Sequence, residues 1–479
     1  MGKKVGIDSI AYYVPGIYLD IETLALKRDI VPAKLQKGLG LTAMAICDAG
    51  EDAATMAAEA VIKLMENENI DPRSIGRLYM GTESALDAAK PTSTYVSEIV
   101  ETAMKDKYGE RCMKNCDVLD MTFACVGGVD AMMNCLDYVR AGEGRRAIVV
   151  VADNAKYALS SSGEYTQGAG AVAMLLTENP RLCVVSDAVG VGMQSVGDFY
   201  KPHHSYDKKS LIKSVLEAAG VDVKAEDILS RLTEDDFWGH RDVNVLLHRD
   251  EPVFDGPLSN DCYCARIDEA LADFSKLVPT DVLKDWPYIL FHQPYAYQGR
   301  RMIVGNWVEW IKDAGHLPEL ENEVGYALTA ENKKDFIKAA SKVPMYLAFV
   351  NERIERGERA STLIGNMYTG SIFMSLISTL RALWEEGKEM KGVTMGCFSY
   401  GSGSKSKVFT LTVSDDWKEV IEKNDIFTTL ENRKKVDFDT YEGLHTGEIT
   451  TPVSMGRVRL EKIGDTPLTT GLRYYKINQ

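Results

Sequence analysis

The chain has 479 residues, of which 45% are apolar and 26% charged, and its formal net charge is −15. The length predicts several domains or one large duplicated one, and the charge disfavours nucleic acid and anionic membrane surfaces as partners. Nine irregularly spaced cysteines, with no signal peptide or membrane-spanning apolar run, predict a cytoplasmic protein without a disulfide framework or a metal site.

Strand and helix patterns alternate along the chain, which predicts an α/β fold. The first part has strand patterns at 5–14, 76–82, 117–124 and 146–152, a glycine-rich turn entering a strand at 168–176, and helical patterns at 51–66 and 91–108. The second part has strand patterns at 286–292, 393–400, 408–413 and, in its tail, 471–477, and helical patterns at 301–311 and 371–384. Similar glycine-rich turns at 168–170 and 401–403 each precede a strand, which indicates an internal duplication.

Cys125 lies where a predicted strand turns into a predicted helix. The strand pattern ends at Ala124, a Gly-Gly pair follows Val126, and apolar residues from Val129 onward fall on one helical face. The first turn of such a helix offers unpaired N–H groups and the positive end of the helix dipole, which favour a thiolate. One interpretation is therefore a nucleophilic cysteine, and the other is a small buried apolar side chain.

Two further reactive side chains follow predicted apolar strands. Glu83 comes directly after the strand pattern that ends at Thr82, and His292 closes a wholly apolar strand, whereas the other six histidines lie in polar contexts typical of the surface. Open α/β sheets place their sites at the carboxyl ends of strands. A helix-capping carboxylate and a hydrogen-bonded core histidine are the alternative interpretations.

Cysteine, histidine and glutamate together suit two chemistries. One is thioester hydrolysis, with the histidine as base for the thiol. The other is carbon–carbon bond formation on an acyl group carried by the thiol, in which an acid/base moves a proton from the α-carbon. A glutamate desolvated in an apolar tunnel would have a raised pKa and exchange protons near neutrality. The residues alone do not separate the two chemistries.

A series of short motifs extends through nearly the whole chain. They are Thr82-Glu-Ser-Ala-Leu-Asp-Ala-Ala-Lys-Pro91, Ala124-Cys-Val-Gly-Gly128, residues 151–157, 167–174 and 252–259, Asp198-Phe-Tyr-Lys-Pro202, Phe291-His-Gln-Pro-Tyr295, Gly365-Asn-Met-Tyr-Thr-Gly-Ser371 and Phe398-Ser-Tyr-Gly-Ser-Gly403. In this order they resemble the 3-hydroxy-3-methylglutaryl-CoA synthase family of the thiolase superfamily. Each motif is weak alone, and their order makes the resemblance strong.

The resemblance implies a duplicated five-layer αβαβα fold of the thiolase type. Its N-terminal half would span 1–180 and carry Glu83 and Cys125, and its C-terminal half would span 181–479 and carry His292. It implies a homodimer that condenses acetyl-CoA with acetoacetyl-CoA and water to 3-hydroxy-3-methylglutaryl-CoA and CoA, without metal or redox cofactor. The implied setting is the mevalonate pathway of isoprenoid synthesis, with an acetoacetyl-CoA thiolase as a candidate associate.

The resemblance also assigns roles to single residues. Cys125 would take the acetyl group, Glu83 would handle the methyl proton and the tertiary alkoxide, and His292 would orient the acetoacetyl carbonyl. The residues implied to line the acyl pocket are Asp153, Tyr157, Asn366 and Tyr368. The backbone N–H of Ser399 would form the oxyanion hole together with that of Cys125.

Two departures from the family leave the carrier of the acceptor open. The family usually has a CoA-contacting lysine shortly after its histidine, and here only Arg300 or Arg301 could take the phosphate-binding role. A charged segment with a helical pattern and no recognisable chemistry, residues 208–251, is inserted near the expected substrate entrance. The alternative is the same condensation on acyl-carrier-protein substrates, as in β-branching synthases. A thioester hydrolase and a non-catalytic subunit that organises a thiolase partner are the other hypotheses.

Overall fold

The computed structural model describes residues 3–232, 243–454 and 456–478 of the chain. Its strands are β1 Val5–Tyr13, β2 Ile17–Asp20, β3 Ala43–Ile46, β4 Arg77–Gly81, β5 Asp117–Met121, β6 Ala147–Ala155, β7 Gly168–Glu178, β8 Cys183–Val185, β9 Gly190–Met193, β10 Phe199–Tyr200, β11 His203–Asp207, β12 Asn244–His248, β13 Val253–Phe254, β14 Tyr288–Phe291, β15 Thr394–Gly401, β16 Lys405–Val413, β17 Lys434–Lys435, β18 Val458–Ile463 and β19 Arg473–Ile477. Its helices are α1 Ile21–Lys27, α2 Pro32–Leu39, α3 Ala53–Asn67, α4 Thr92–Tyr108, α5 Gly127–Arg140, α6 Lys208–Ala219, α7 Ala225–Leu229, α8 Gly256–Leu277, α9 Val282–Asp285, α10 Gln298–Met302, α11 Val304–Asp313, α12 Leu317–Val324, α13 Lys333–Ala340, α14 Pro344–Arg353, α15 Glu355–Ile364, α16 Ser371–Glu385, α17 Trp417–Glu422, α18 Ile426–Glu431 and α19 Phe438–Thr446. None of these described helices is long and apolar enough to cross a membrane.

One large mixed sheet contains an internal repeat. Its strand order is β14-β15-β16-β8-β1-β7-β6-β4-β5, and β9 also pairs with β16. In the series β1-β7-β6-β4 the first two pairings are antiparallel and the third is parallel. The series β8-β16-β15-β14 repeats the same pairing senses, and the two series meet where β1 pairs with β8. The expected duplication is therefore present in the strand topology.

Helices and half-sheets alternate in five layers. Helices α3 and α4 form one apolar cluster with the outer face of the N-terminal series, and α8 forms another with the outer face of the C-terminal series. Helices α5 and α16 share the central cluster with the inward residues of both series. Alternation along β6 shows the two faces, because Ile148 and Val150 belong to the outer cluster and Val149 and Val151 to the central one. This is the thiolase-like αβαβα arrangement.

Local sequence determines where the helices around the central sheet begin. The Asp52 side chain accepts the Thr55 N–H while the Thr55 hydroxyl accepts the Asp52 N–H, so a capping box starts α3. The Asp255 carboxylate caps α8. Helix α5 begins at Gly127 without a side-chain cap. No side chain therefore caps the N–H groups of its first turn, and the positive end of its dipole lies next to the turn that contains Cys125.

Three predicted segments differ from the observed elements. The helix expected at 301–311 is divided into α10 and α11 at Ile303. The glycine-rich segment 168–170, predicted as a turn, is the start of β7. Glycine is needed there because a Cβ on Gly168 would lie 2.6 Å from the carbonyl oxygen of Asn366. Within the described part of the insertion, only α6 and α7 are helical. They lie in the chain between the paired strands β11 and β12. Residues 233–242 lie outside the described chain.

Candidate active site

Close backbone packing brings the end of β4 to the start of α5. A Cβ on Gly81 would lie 2.5 Å from the Cα of Gly128, and a Cβ on Gly128 would lie 2.5 Å from Cγ1 of Val151. Only glycine leaves room for these contacts. Because Glu83 and Cys125 lie two and three residues from them, the glycines allow the two reactive side chains to meet.

Cys125 is a half-buried thiol at a strained turn. Ala124 before it has a φ of +41°, a conformation that is costly for a residue with a side chain and that accumulates at functional sites. Burial, and then the neighbouring Glu83 carboxylate, raise the pKa of the Cys125 thiol well above its ordinary value. The thiolate expected from the helix N-terminus is therefore not the resting form, because desolvation outweighs the helix dipole.

Glu83 is a carboxyl group poised for proton exchange. Burial raises its pKa to about 7, against the opposing charge of Lys201 and a hydrogen bond from the Cys125 thiol. The Lys201 ammonium also donates to the Glu83 carbonyl oxygen at 3.1 Å. At neutral pH such a group is divided between its acid and base forms, as expected for a desolvated general acid/base.

Asp153 holds the backbone around Glu83 and does not line the cavity. Its Oδ1 accepts hydrogen bonds from the Thr82 hydroxyl at 3.0 Å, the Glu83 N–H at 2.7 Å and the Ser84 hydroxyl at 3.0 Å, and its Oδ2 accepts from the Thr369 N–H at 3.0 Å and the Thr369 hydroxyl. The carboxylate is fully buried. The resemblance implied that Asp153 lines the acyl pocket, but these donors engage its oxygens, and it instead holds the backbone at Glu83.

His292 is a buried, neutral imidazole. Burial lowers its pKa to about 3, so the ring is uncharged throughout the physiological range. Its Nδ1 lies 2.6 Å from the Ser371 hydroxyl, and that hydroxyl accepts the Gln293 N–H at 3.1 Å. The network is satisfied when Ser371 donates its proton to Nδ1, which puts the ring proton on Nε2. The imidazole then offers an N–H donor to the cavity.

A cavity of about 340 Å³ unites most of the predicted residues. Its lining includes Cys125, Tyr157, His292, Arg301, Asn366 and Tyr368. Glu83 contributes no lining surface, and its Oε1 is buried without a hydrogen-bond partner among the described residues. A larger cavity of about 540 Å³ beside α19 and β18 contains none of the three reactive side chains.

The two arginines proposed for CoA binding have different surroundings. Arg301 is exposed at the cavity, with its guanidinium 5.6 Å from the centre of the Tyr295 ring. Arg300 forms a bidentate ion pair with the buried carboxylate of Glu358, outside the cavity. Arg301 is therefore the arginine that the structure brings to the cavity, and Arg300 is not.

Ser399 lies on β15 and is buried. Its hydroxyl donates to the Lys407 carbonyl at 2.9 Å and accepts the Lys407 N–H at 3.2 Å. Because the Ser399 hydroxyl is engaged in these two hydrogen bonds, only the backbone of Ser399 could contact a substrate. A Cβ on Gly401, two residues later, would lie 2.7 Å from the Phe123 oxygen and the Val126 nitrogen, so β15 packs closely on the cysteine turn. The oxyanion role of the Ser399 N–H stays a prediction.

Several residues around the site were not singled out from the sequence. Lys201 and Ser371 meet Glu83 and His292 through long-range contacts, which the sequence does not show. His445 was expected at the surface, which is wrong. It is half-buried, and its Nε2 lies 2.8 Å from the carbonyl oxygen of Tyr157. The Phe199 and Phe254 rings also line the cavity. The family-like motifs that contain Lys201, Phe254 and Ser371 were the available signal.

The topology and the site together define an acyl-transferring enzyme of the thiolase-like class. Residues 1–180 match the family model described as hydroxymethylglutaryl-coenzyme A synthase N terminal, and residues 246–446 match the corresponding C terminal model. The chain belongs to the hydroxymethylglutaryl-CoA synthase family.

The chain is similar to named relatives over almost its whole length. The hydroxymethylglutaryl-CoA synthase of Ganoderma lucidum is 30% identical over 457 residues, covering 92% of this chain and 86% of that protein. The enzyme of the same name from Haloferax volcanii is 29% identical over 455 residues, covering 92% and 91% of the two chains. The solved structure of MvaS in complex with 3-hydroxy-3-methylglutaryl coenzyme A superposes with a TM-score of 0.75 at 27% identity and covers 100% of both chains.

Proposed function

We propose that the protein condenses acetyl-CoA with acetoacetyl-CoA and water to 3-hydroxy-3-methylglutaryl-CoA and CoA, through an acetyl group held on Cys125. The observation that carries this proposal is the contact of the Cys125 thiol with a Glu83 carboxyl whose pKa is about 7. Hydrolysis needs no acid/base at the α-carbon, whereas condensation does. The proposal includes a cytoplasmic homodimer in the mevalonate pathway, supplied with acceptor by an acetoacetyl-CoA thiolase.

The first step transfers the acetyl group. The sulfur of Cys125 attacks the thioester carbonyl of acetyl-CoA, the bond between the carbonyl carbon and the CoA sulfur breaks, and CoA leaves with the thiol proton. The negative charge that the sulfur carries once the thiol has lost its proton is stabilised by the N-terminus of α5, which has no side-chain cap. Oxyanion charge is stabilised by the backbone N–H groups of Cys125 and Ser399.

The second step forms the new carbon–carbon bond. The Glu83 carboxylate removes a proton from the methyl group of acetyl-Cys125, and the resulting carbanion attacks the ketone of acetoacetyl-CoA. Nε2–H of the neutral His292 donates to the ketone oxygen and orients it. The protonated Glu83 returns its proton to the tertiary alkoxide. A carboxyl with a pKa near 7 can serve in both directions within one turnover.

The third step releases the product. Water attacks the thioester between the condensed acyl group and Cys125, the carbon–sulfur bond breaks, and the thiol is restored with one proton from that water. The hydroxyl of the water becomes part of the free carboxyl of the product. No metal or redox cofactor enters these steps.

The proposal is tested by incubating the protein with acetyl-CoA, with and without acetoacetyl-CoA. The expected result is a mass increase of one acetyl group in the absence of acceptor, located on the peptide that contains Cys125. One equivalent of free CoA per active site is expected without acceptor, and the six-carbon product together with continued release of CoA is expected only when acceptor is added. Intact mass, peptide mapping and product chromatography provide the measurements.

Three results would overturn the proposal. Steady release of acetate without a six-carbon product would indicate a thioester hydrolase. Labelling from an acetylated carrier protein, with none from acetyl-CoA, would indicate the β-branching alternative. A protein that is labelled by neither donor would be a non-catalytic subunit.

Replacing Arg301 by alanine is expected to raise the KM for acetyl-CoA and acetoacetyl-CoA about tenfold, with a smaller change in kcat. The reason is the loss of a guanidinium at the cavity mouth that can pair with CoA phosphate. Steady-state kinetics with both substrates measure this change. Arg300→Ala is the matched control, since it should leave KM unaltered and instead lower the melting temperature by leaving Glu358 buried without its partner. Equal KM effects from both changes would contradict the assignment.

A further inference from the structure

Aromatic rings surround the thiol of Cys125. They form one apolar cluster whose members are Tyr157, Tyr368, Phe199 and Phe254, and Cys125 packs against it. The Tyr157 and Phe254 ring centres are 5.3 Å apart, and those of Phe199 and Tyr368 are 5.9 Å apart, both in edge-to-face geometry. An acyl group attached to the Cys125 sulfur therefore has ring surfaces as its neighbours.

The two phenylalanines come from a short ribbon at the base of the insertion. Strand β10 pairs with β13, and Phe199 lies opposite Phe254 in that pairing. The chain leaves the ribbon after Tyr200 for the inserted segment and returns to it at Val253. The inserted segment, in which the sequence shows no recognisable chemistry, is thus joined to the rest of the chain through this ribbon. The ribbon forms part of the cavity wall.

Contacts on several sides hold this ribbon in place. Asp198, just before β10, accepts the Tyr400 hydroxyl at 2.7 Å and the Gly403 N–H at 2.8 Å. Its carbonyl also accepts the Asp255 N–H at 3.0 Å, which ties the two strands together beside the rings. On the insertion side, the Lys201 ammonium donates to the Glu83 carbonyl. The ribbon is therefore tied to β15 and to the segment that carries the acid/base.

We propose that Phe254 limits the length of the acyl group that Cys125 accepts, so that an acetyl group fits and longer acyl groups are rejected. This inference rests on the proposed role of Cys125 as acyl carrier. Tyr157 and Tyr368 are 7% and 1% exposed, so neither ring has space to move away from a longer chain. Phe254 is half-buried and lines the cavity, so a smaller side chain there opens space that is continuous with the cavity.

The size of the effect follows from ordinary hydrophobic discrimination. One methylene in an apolar pocket changes the ratio of specificity constants by about 10- to 200-fold. Phe254→Val removes most of the ring and is expected to raise the ratio of propionyl to acetyl loading at least about tenfold. Butyryl loading should increase by a similar or larger factor.

The experiment measures acylation alone, without acceptor. Wild type, Phe254→Val and Phe254→Leu are mixed with acetyl-, propionyl- or butyryl-CoA, and the rate of adduct formation on Cys125 is followed by intact mass. Val253→Ala is the matched control, because Val253 is the neighbouring ribbon residue, is 41% exposed and does not line the cavity. It should keep the wild-type ratio of propionyl to acetyl loading.

The results separate this inference from the proposed function. If wild type forms no acetyl adduct, the carrier role of Cys125 fails. If acetyl loading persists in both Phe254 variants but the propionyl to acetyl ratio stays within twofold of wild type, the size limit is not set by Phe254. Folded Phe254 variants that lose loading with every donor would also overturn it, since the ring would then be needed for acylation itself. Circular dichroism and melting temperature establish folding in each case.

Discussion

Cys125→Ser is expected to lower the rate of acetyl transfer from acetyl-CoA by about 10⁴-fold or more, and to remove the mass adduct. A hydroxyl has a far higher pKa than a thiol and is a poorer nucleophile toward a thioester. The serine side chain is close to the size of the cysteine side chain, so the strained turn at Ala124 and the start of α5 should be preserved. Rapid-quench acylation assays with intact mass detection measure the loss directly.

A matched control distinguishes this effect from a general loss of thiol. Cys47 is also half-buried, and burial raises the pKa of its thiol well above the ordinary value, but it lines the other cavity beside α19. Cys47→Ser should therefore acetylate at the wild-type rate. An acetyl adduct that persists in Cys125→Ser and disappears in Cys47→Ser would show that Cys47, in the other cavity, carries the acetyl group. That result would refute the mechanism.

The repeat in the sheet and the three reactive side chains could be predicted from sequence because their signals are local. His292 directly follows β14, Glu83 comes two residues after β4 and Cys125 four residues after β5, and apolar alternation and helical periodicity are visible over short windows. The neighbouring strands β4 and β5 are parallel, so the residues that follow them, Glu83 and Cys125, are brought to a common edge of the sheet. His292 follows β14 at the other end of the sheet, and tertiary packing brings it to the same site.

What the sequence could not provide depends on long-range packing. Arg300 and Arg301 are adjacent in the chain, but neighbours on a helix point about 100° apart, so one reaches the cavity and the other reaches Glu358. The family resemblance implied that Asp153 lines the acyl pocket. Only the tertiary structure shows that donors from Thr369 and from the chain around Glu83 enclose its carboxylate.

The protonation state of the cysteine shows the same limitation. A helix N-terminus is visible in sequence, and its dipole contributes about 0.3–1 kcal/mol in favour of a nearby negative charge. The depth of burial and the proximity of Glu83 are not visible, and both raise the pKa of the Cys125 thiol. Their effect is larger than that of the dipole, so the resting site holds a thiol beside a carboxyl group.

Glu83→Ala is expected to lower the rate of condensation about 10³-fold while the protein still acetylates on Cys125. Acetylation exchanges one thioester for another and breaks no carbon–hydrogen bond, whereas condensation needs a base at the methyl carbon and an acid at the alkoxide. Single-turnover assays starting from the preformed acetyl-enzyme isolate the second step. Glu59→Gln is a control, since burial raises the pKa of this carboxyl as well but it accepts the Val458 N–H far from the cysteine turn.

The pH dependence of condensation gives the same prediction a second readout. Burial raises the pKa of Glu83 to about 7, so its carboxylate is scarce at pH 6 and abundant at pH 8. The rate of condensation from acetyl-enzyme should therefore rise through pH 7 and then level off, because only the carboxylate accepts the methyl proton. His292, with a pKa of about 3, stays neutral throughout and adds no inflection. The residual rate of Glu83→Ala should lack the inflection, and if it kept the wild-type profile the base would have to be another group.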